Sequence, residues 1–385
     1  MNAAAVPPRA EIVVDLDAIR RNVRRLRELT ALDLPDGHEP PQVMVVVKGD
    51  AYGHGMAPVA RAAREAGADW LGVATPEEAL SLRAAGDHGR LMCWLSVLGD
   101  DLGPVVAEDV DVAAYTVGQL REIAGSARAL GTVARVHLKI DTGLSRGGAS
   151  AAHWAELLAE AVLAERAGDV RIVGVWSHLA CADQPAHPAN DEQEQAFRAA
   201  VAAAEEVGLR PEVRHLANSA GALLRPSVRF DLVRLGIAVY GLTPAPDVVS
   251  SRELGLVPAM TLRGRIVLGK QLQAGDGVSY GHTFVADRPM TAALVPLGYA
   301  DGIPRHASSR AQVQLNGRRA PVLGRICMDQ FVVGGAAEEG DEVVLFGSGA
   351  GGEPTAQDWA EWCDTISYEI VTRMRGREAR RWVNA

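Results

Sequence analysis

Short apolar runs alternate with alanine-rich stretches of helical period from about residue 43 to residue 241. The runs at 43–48, 70–75, 91–96, 111–116, 134–140, 172–179, 213–218 and 231–240 read as strands. Several are apolar at nearly every position, as in parallel strands covered on both faces. The segments between them, such as 116–130, 149–166 and 190–207, space their apolar residues as helices do. Residues 15–30 predict one more helix ahead of the first strand, with Asp15 as its N-cap. Eight β–α units in about 200 residues predict an α/β fold, a (β/α)8 TIM barrel.

Beyond Gly241 the texture changes. Pro244-Ala245-Pro246 reads as a linker. Strand-like runs follow at 259–272, 291–298 and 341–346, with a hairpin over 312–322 that turns at Asn316-Gly317. A short helix at 355–362 is expected near the end. The division is a barrel domain over 1–245 and a mainly β C-terminal domain over 246–385. Ile12-Val13-Val14, within residues 10–15, is placed to add a strand to the second domain.

A net charge of −9 argues against nucleic acid or an anionic membrane as partner. The cluster Arg20-Arg21-Asn22-Val23-Arg24-Arg25 has helical spacing and reads as a solvated helix face. No run of about 18 apolar residues predicts a membrane span, and Met1 to Pro8 has no apolar segment of signal-peptide length. Cys93, Cys181, Cys327 and Cys363 are scattered without metal spacing. They read as reduced thiols of a cytoplasmic protein, and no metal site is expected.

Lysine usage narrows the chemistry. The chain has 36 arginines and three lysines, Lys48, Lys139 and Lys270. An amine can lose its proton when desolvated and form a Schiff base, which a guanidinium cannot. Lys48 follows the apolar run 43–47 and precedes Gly49-Asp50-Ala51-Tyr52-Gly53-His54-Gly55, a good setting for such an amine, although a plain strand-end charge is the competing reading. Lys270 lies in an alternating strand with Arg263 and Arg265 and reads as solvated.

In barrels of this type the chemistry sits at the C-terminal ends of the strands. Those ends carry Lys48, Thr75, Ser96, Thr116, Lys139 with Asp141, Ser177 with His178, Asn218 with Ser219, and Arg234 followed by Gly236. Thr75, Ser96 and Thr116 are expected to cap loops. Phosphate sites of such barrels use the loops after strands seven and eight, here Asn218-Ser219-Ala220-Gly221 and Arg234-Leu235-Gly236-Ile237. A Schiff-base lysine and a phosphate cradle in one barrel point to pyridoxal 5'-phosphate (PLP). The glycine-rich stretch 347–352 is not in a βαβ unit and reads as a loop.

The motifs Val46-Val47-Lys48-Gly49-Asp50-Ala51-Tyr52-Gly53-His54-Gly55, Leu138-Lys139-Ile140-Asp141-Thr142-Gly143-Leu144-Ser145-Arg146, Ala217-Asn218-Ser219-Ala220 and Arg234-Leu235-Gly236-Ile237 continue in order through the second domain. There they are Val278-Ser279-Tyr280-Gly281, Gly298-Tyr299-Ala300-Asp301-Gly302, Gly324-Arg325-Ile326-Cys327-Met328-Asp329 and Ile366-Ser367-Tyr368-Glu369. Over essentially its whole length the chain resembles the alanine racemases, PLP enzymes of fold type III. Gly49 departs from the pattern, which more often has Ala there.

That resemblance implies a racemase that interconverts L-alanine and D-alanine with two bases and supplies D-alanine for peptidoglycan. Lys48 would hold PLP and act as base on one face of the substrate Cα, and Tyr280 would act on the other, assisted by His178. Arg234 would face the pyridine nitrogen. Tyr52, Ser219, Gly236, Ile237 and Tyr368 would hold the phosphate, and Arg146 the substrate carboxylate. Lys139 would be N-carboxylated, giving an anion that orients Arg146. Tyr280, Tyr299 and Met328 would reach the site of a neighbouring chain, so a homodimer with shared active sites is implied. Racemases acting on serine, lysine or arginine, and a related PLP decarboxylase, are the alternatives. The decarboxylase should present an acid, not Arg234, to the ring nitrogen. A PLP-carrier protein, a lone barrel, would lack the β domain.

Overall fold

The computed structural model describes residues 8–34, 37 and 39–385, so of the segment Met1 to Pro8 only Pro8 falls inside it. After β1 (Ala10–Asp15) and the helix Leu16–Thr30 come eight parallel strands: β2 (Gln42–Val46), β3 (Trp70–Val73), β4 (Arg90–Cys93), β5 (Asp111–Ala114), β6 (Ala134–Lys139), β7 (Val170–Trp176), β8 (Val213–His215) and β9 (Leu232–Leu235). Their spatial order is β8-β7-β6-β5-β4-β3-β2-β9. Backbone bonds Asp231 N–H to Arg214 O (3.1 Å) and Arg234 N–H to Ala217 O (3.0 Å) connect the β8 and β9 ends, closing the ring. Helices on the outside pack their apolar faces against the strands. Val136 and Leu138 belong to that outer core, whereas Met44, Trp70, Met92, Trp176 and Leu232 form a separate cluster inside the barrel.

Asp15 caps the first helix by accepting from the N–H groups of Asp17 and Ala18. Ile19, Val23 and Leu26 give that helix its buried stripe. Within the arginine cluster Asn22 is an exception to the solvated face. It is fully buried, donates to Val239 O and Val257 O at 3.0 and 2.9 Å, and accepts from Val257 N–H at 2.9 Å.

Several strands end before the apolar runs do. The run at 231–240 stops as a strand at Leu235, and the chain continues as a 3-10 turn, Ile237–Tyr240. All four turn residues are buried. A fully buried apolar run has the same appearance in sequence whether it is strand or turn. Lys48, His178 and Ser219 consequently lie in the connections just after their strands, while Lys139 ends β6 and Arg234 sits within β9. Thr75 and Thr116 are helix N-caps, for Pro76–Ala84 and Val117–Leu130. Ser96 lies in a loop, where its carbonyl accepts from Gln119.

The second domain is built from β10 (Met260–Arg265), β11 (Leu268–Leu272), β12 (Gly277–Val278), β13 (Phe284–Val285), β14 (Met290–Val295), β15 (Gln312–Leu315), β16 (Arg318–Leu323), β17 (Phe331–Gly334), β18 (Glu342–Phe346) and β19 (Ala379–Val383). A nine-stranded sheet runs β11-β14-β17-β16-β15-β18-β10-β1-β19. β1 does pair here, antiparallel to β10 and parallel to β19. The expected single strand at 259–272 is two strands, because the chain changes partners at Ile266 from β18 to β14. Its alternation keeps phase across the break, so periodicity did not mark it. Asn316 and Gly317 both have positive φ, at 49° and 75°, as a two-residue hairpin turn requires. Glu353 fills the glycine-rich loop 347–352, accepting from the N–H groups of Gly349 and Gly351 and from Ser348. That loop has its anion already, from its own chain.

Candidate active site

The backbone just after β2 is unusual. Gly49, Asp50, Ala51 and Tyr52 are consecutive residues with φ of 64°, 56°, 54° and 52°. A left-handed turn costs about 1–2 kcal/mol per non-glycine residue, so it has to be held in place. Glu78, which also completes the capping box of Thr75, accepts from Gly49 N–H at 2.6 Å. The C-terminal segment does the rest: Arg375 donates to Gly49 O (2.5 Å), Arg380 pairs with Asp50 (2.5 Å) and Trp382 donates to His54 O (2.8 Å). Gly49 suits this turn better than alanine would. The turn brings Lys48 and Tyr52 to the same cavity.

That cavity, of about 380 Å3, opens at the C-terminal ends of the barrel strands. Lys48, Lys139, Arg146 and Arg234 line it, with no carboxylate among the lining residues. On another part of its wall Ser219 Oγ accepts from Gly236 N–H at 2.8 Å. A Cβ at position 236 would overlap the Tyr52 hydroxyl, so glycine allows the two to meet. The helix Ser219–Leu224 and the turn Ile237–Tyr240 both begin here, presenting first-turn N–H groups that have no helical partner. Tyr368 and Thr372, from the helix Ser367–Thr372, complete this wall. Burial raises the phenol pKa values of Tyr52 and Tyr368, which keeps both hydroxyls as donors.

Arg234 is fully buried and richly bonded. Its Nη1 donates to His215 Nδ1 (3.2 Å) and His215 O (3.0 Å), and its Nη2 donates to Ser177 O (2.8 Å), Leu216 O (3.0 Å) and His178 Nδ1 (3.1 Å). Its Nε–H has no acceptor among the described residues. Burial pushes Arg234 down to about 9, which leaves it protonated at neutral pH. Burial, then the positive charge of Arg234, pushes His178 well below the usual histidine value, so its ring is neutral. With Nδ1 accepting from Arg234, His178 carries its proton on Nε2.

Burial and the nearby Arg146 also lower Lys48. Lys139 falls to about 8, from burial first and then Arg234 and Arg146. Its Nζ lies 4.7 Å from the Tyr115 ring centroid and 4.5 Å from that of Trp176. Arg146 rides on the loop after β6, which Asp141 folds back by accepting from the N–H groups of Gly143 and Ser145.

Three expected site residues are not in this cavity. Tyr280, Tyr299 and Met328 are 72%, 43% and 52% exposed on the second domain. They form one patch around Cys327: Tyr299 N–H donates to Cys327 O at 3.0 Å, and Ser279 Oγ lies 3.2 Å from Cys327 Sγ. Within one chain the structure brings together Lys48, Tyr52, Lys139, Arg146, His178, Ser219, Arg234, Gly236, Ile237 and Tyr368.

Residues 14–244 match the family described as alanine racemase, N-terminal domain, and residues 259–382 match alanine racemase, C-terminal domain. The chain belongs to the alanine racemase family. It is 53% identical over 367 residues to an alanine racemase of Salinispora arenicola, covering 94% of this chain and 95% of that protein. A Streptomyces coelicolor relative is 51% identical over 384 residues, covering 98% and 96%. The fold is similar to the crystal structure of alanine racemase from D-cycloserine-producing Streptomyces lavendulae, with a TM-score of 0.95, 51% identity and coverage of 99% and 98%.

Sequence reading missed Trp94, Trp176 and Thr372, which also line the cavity of this family member. A tryptophan at the end of an apolar strand looks like ordinary core. The signal that could have found Trp176 is its place directly before Ser177-His178. No helix among the described residues is long and apolar enough to cross a membrane.

Proposed function

We infer that the protein interconverts L-alanine and D-alanine with PLP as cofactor, Lys48 and Tyr280 as its two bases, and D-alanine for peptidoglycan as its product. The observation that carries this reading is one cavity faced by a desolvated lysine amine, a hydroxyl-lined backbone cradle around Gly236, and the buried guanidinium of Arg234. The residues present fit the cofactor. The close approach at Gly236, the first-turn N–H groups and the hydroxyls of Tyr52, Ser219 and Tyr368 suit a phosphate. Two guanidiniums, Arg146 and Arg234, with no carboxylate in the lining, suit an anionic cofactor and a substrate carboxylate.

PLP, when bound, supplies the electron sink that makes the α-proton of an amino acid labile. Lys48 Nζ would hold the cofactor covalently and move the α-proton on one face. Its burial favours the neutral amine that this task needs. Tyr280 of the partner subunit would move the proton on the other face. A free phenol has a pKa of about 10, and the Nε2–H of His178 would stabilise its deprotonated oxygen. Arg234 would turn its remaining Nε–H to the cofactor ring and keep its proton, which would restrain the transamination and decarboxylation that a protonated ring promotes. Arg146 holds the substrate carboxylate, and Tyr299 and Met328 of the partner subunit close the entrance. The exposed aromatic patch on the second domain supports this shared-site homodimer. Free cysteines support a cytoplasmic location.

The deciding experiment is incubation with L-alanine, L-serine and L-lysine in turn, with chiral analysis and detection of released carbon dioxide. Racemised alanine is the expected result; released carbon dioxide would favour the decarboxylase. A second expected outcome concerns Arg234→Glu. It lets the ring nitrogen protonate, so racemisation should fall about 10- to 100-fold while transamination rises. An unchanged product profile would mean that Arg234 does not face the ring.

Lys139 carries a third. A carbamate forms only on a neutral amine, and Lys139 loses its proton as pH rises through about 8. With 13C-bicarbonate, a carbamate signal should grow as pH rises through this range and be missing in Lys139→Arg. Its absence at every pH would leave Lys139 an ordinary buried amine.

A further inference from the structure

Barrel interiors are normally filled by layers of bulky apolar side chains. Here one side of the interior is a polar column. Along β6, Arg135, His137 and Lys139 all face the barrel axis, since alternate residues of a strand share a face. At the end remote from the cavity, Asp111 of β5 is 1% exposed and accepts from Arg135 Nε (2.8 Å), Arg90 Nη2 (3.1 Å) and His137 Nε2 (3.0 Å). His137 Nδ1 lies 2.9 Å from His215 Nε2, and His215 Nδ1 lies 3.2 Å from Arg234 Nη1. Both imidazoles are fully buried. The Trp176 ring stacks on His215 with planes 2° apart. Gly174 makes room for His137, because a Cβ there would overlap the imidazole.

Only one arrangement of protons satisfies this column. Arg234 can only donate, so His215 Nδ1 must accept and its proton sits on Nε2. His215 therefore donates to His137 Nδ1, which leaves the His137 proton on Nε2. That proton points at Asp111, an acceptor held ionised by its two arginines and His137. A proton in any other place would set two donors, or two acceptors, against each other in a dry interior, at the cost of an unmade hydrogen bond.

We propose that Asp111, His137 and His215 are positioning residues, which fix from the far end of the barrel the hydrogen-bond polarity that holds Arg234. The proposal rests on the reading of Arg234 as the group facing the cofactor ring. A relay of reversed polarity would aim a His215 N–H at Arg234 Nη1 and displace the guanidinium. Apolar side chains would fill the same volume without two buried imidazoles and a carboxylate, so packing alone does not account for the column.

The test uses the full-length holoenzyme and three variants. Asp111→Leu removes the acceptor at the far end of the column, which Asp111→Asn would keep in its amide oxygen. His137→Gln keeps the direction, because an amide can donate to Asp111 and accept from His215, whereas His137→Phe abolishes it. Asp111→Leu also loses two ion pairs and can unfold the barrel, so the comparison of the two His137 variants, which leaves those pairs alone, stands by itself. With 15N-labelled histidine, the signals assigned to His137 and His215 in the unaltered protein should both be of the Nε2–H form. In Asp111→Leu that pattern should give way to a mixture of tautomers. For Asp111→Leu and His137→Phe, kcat should fall about 10- to 100-fold, with KM little changed and more transamination per turnover. His137→Gln should keep the His215 tautomer and most of kcat. An Nδ1–H form at either histidine in the unaltered protein, or equal damage from His137→Gln and His137→Phe, would overturn the relay. The tautomers are read by NMR without catalysis; an unaltered protein that fails to racemise alanine would instead overturn the proposed activity.

Discussion

Lys48→Ala should lower alanine racemisation by at least about 1,000-fold, since it removes both the cofactor's covalent anchor and one of the two bases. Lys48 is the lysine that the left-handed turn delivers to the cavity wall beside Tyr52. The unaltered protein should be yellow as purified, and borohydride should fix the chromophore to the peptide containing Lys48. Lys139 lines the same cavity, so it is a real competitor. What separates the two is their surroundings. Lys139 stands over the faces of the Tyr115 and Trp176 rings, away from the cradle, whereas Lys48 begins the turn that also carries Tyr52 to the Gly236 cradle. A reduced adduct on Lys139, or a Lys48→Ala protein that still binds the chromophore covalently, would defeat the assignment.

The same residues show what the sequence makes readable. Repetition made the barrel legible: eight apolar runs with helices between them leave few other architectures. The cavity's cations were legible because Lys48, Lys139 and Arg234 each stand at or near the end of an apolar run, where a charge has little structural reason to be. The left-handed turn at Gly49–Tyr52 was not. Only one of its four residues is glycine, and three of the side chains that hold it, Arg375, Arg380 and Trp382, come from the opposite end of the chain. No local pattern encodes a contact at that separation. The polar column was half visible. His137 and Asp111 break apolar strands, but whether a strand residue faces the barrel axis or the outer helices depends on closure of the ring.

Tyr280→Phe should separate the two faces of the substrate. The substitution keeps the ring and removes only the hydroxyl, so racemisation should fall about 100- to 10,000-fold, the usual worth of a positioned acid–base group. In deuterated solvent the loss should be one-sided. The face served by Lys48 still exchanges its α-proton, and the face served by Tyr280 does not. By the family resemblance the tyrosine serves L-alanine, so exchange into L-alanine is the one expected to stop. The structure adds a requirement of its own. Tyr280 is 72% exposed and does not line the cavity of its own chain, although it shares a patch with Tyr299 and Met328. A site assembled across a two-fold interface predicts complementation. Lys48→Ala and Tyr280→Phe proteins, each inactive alone, form mixed dimers with one site that has both bases and one that has neither. Statistical exchange of subunits should then restore roughly a quarter of the unaltered activity. Equal loss of exchange for both enantiomers would remove Tyr280 as a base. If verified mixed dimers stayed inactive, Tyr280 would have to act some other way than in the partner's site.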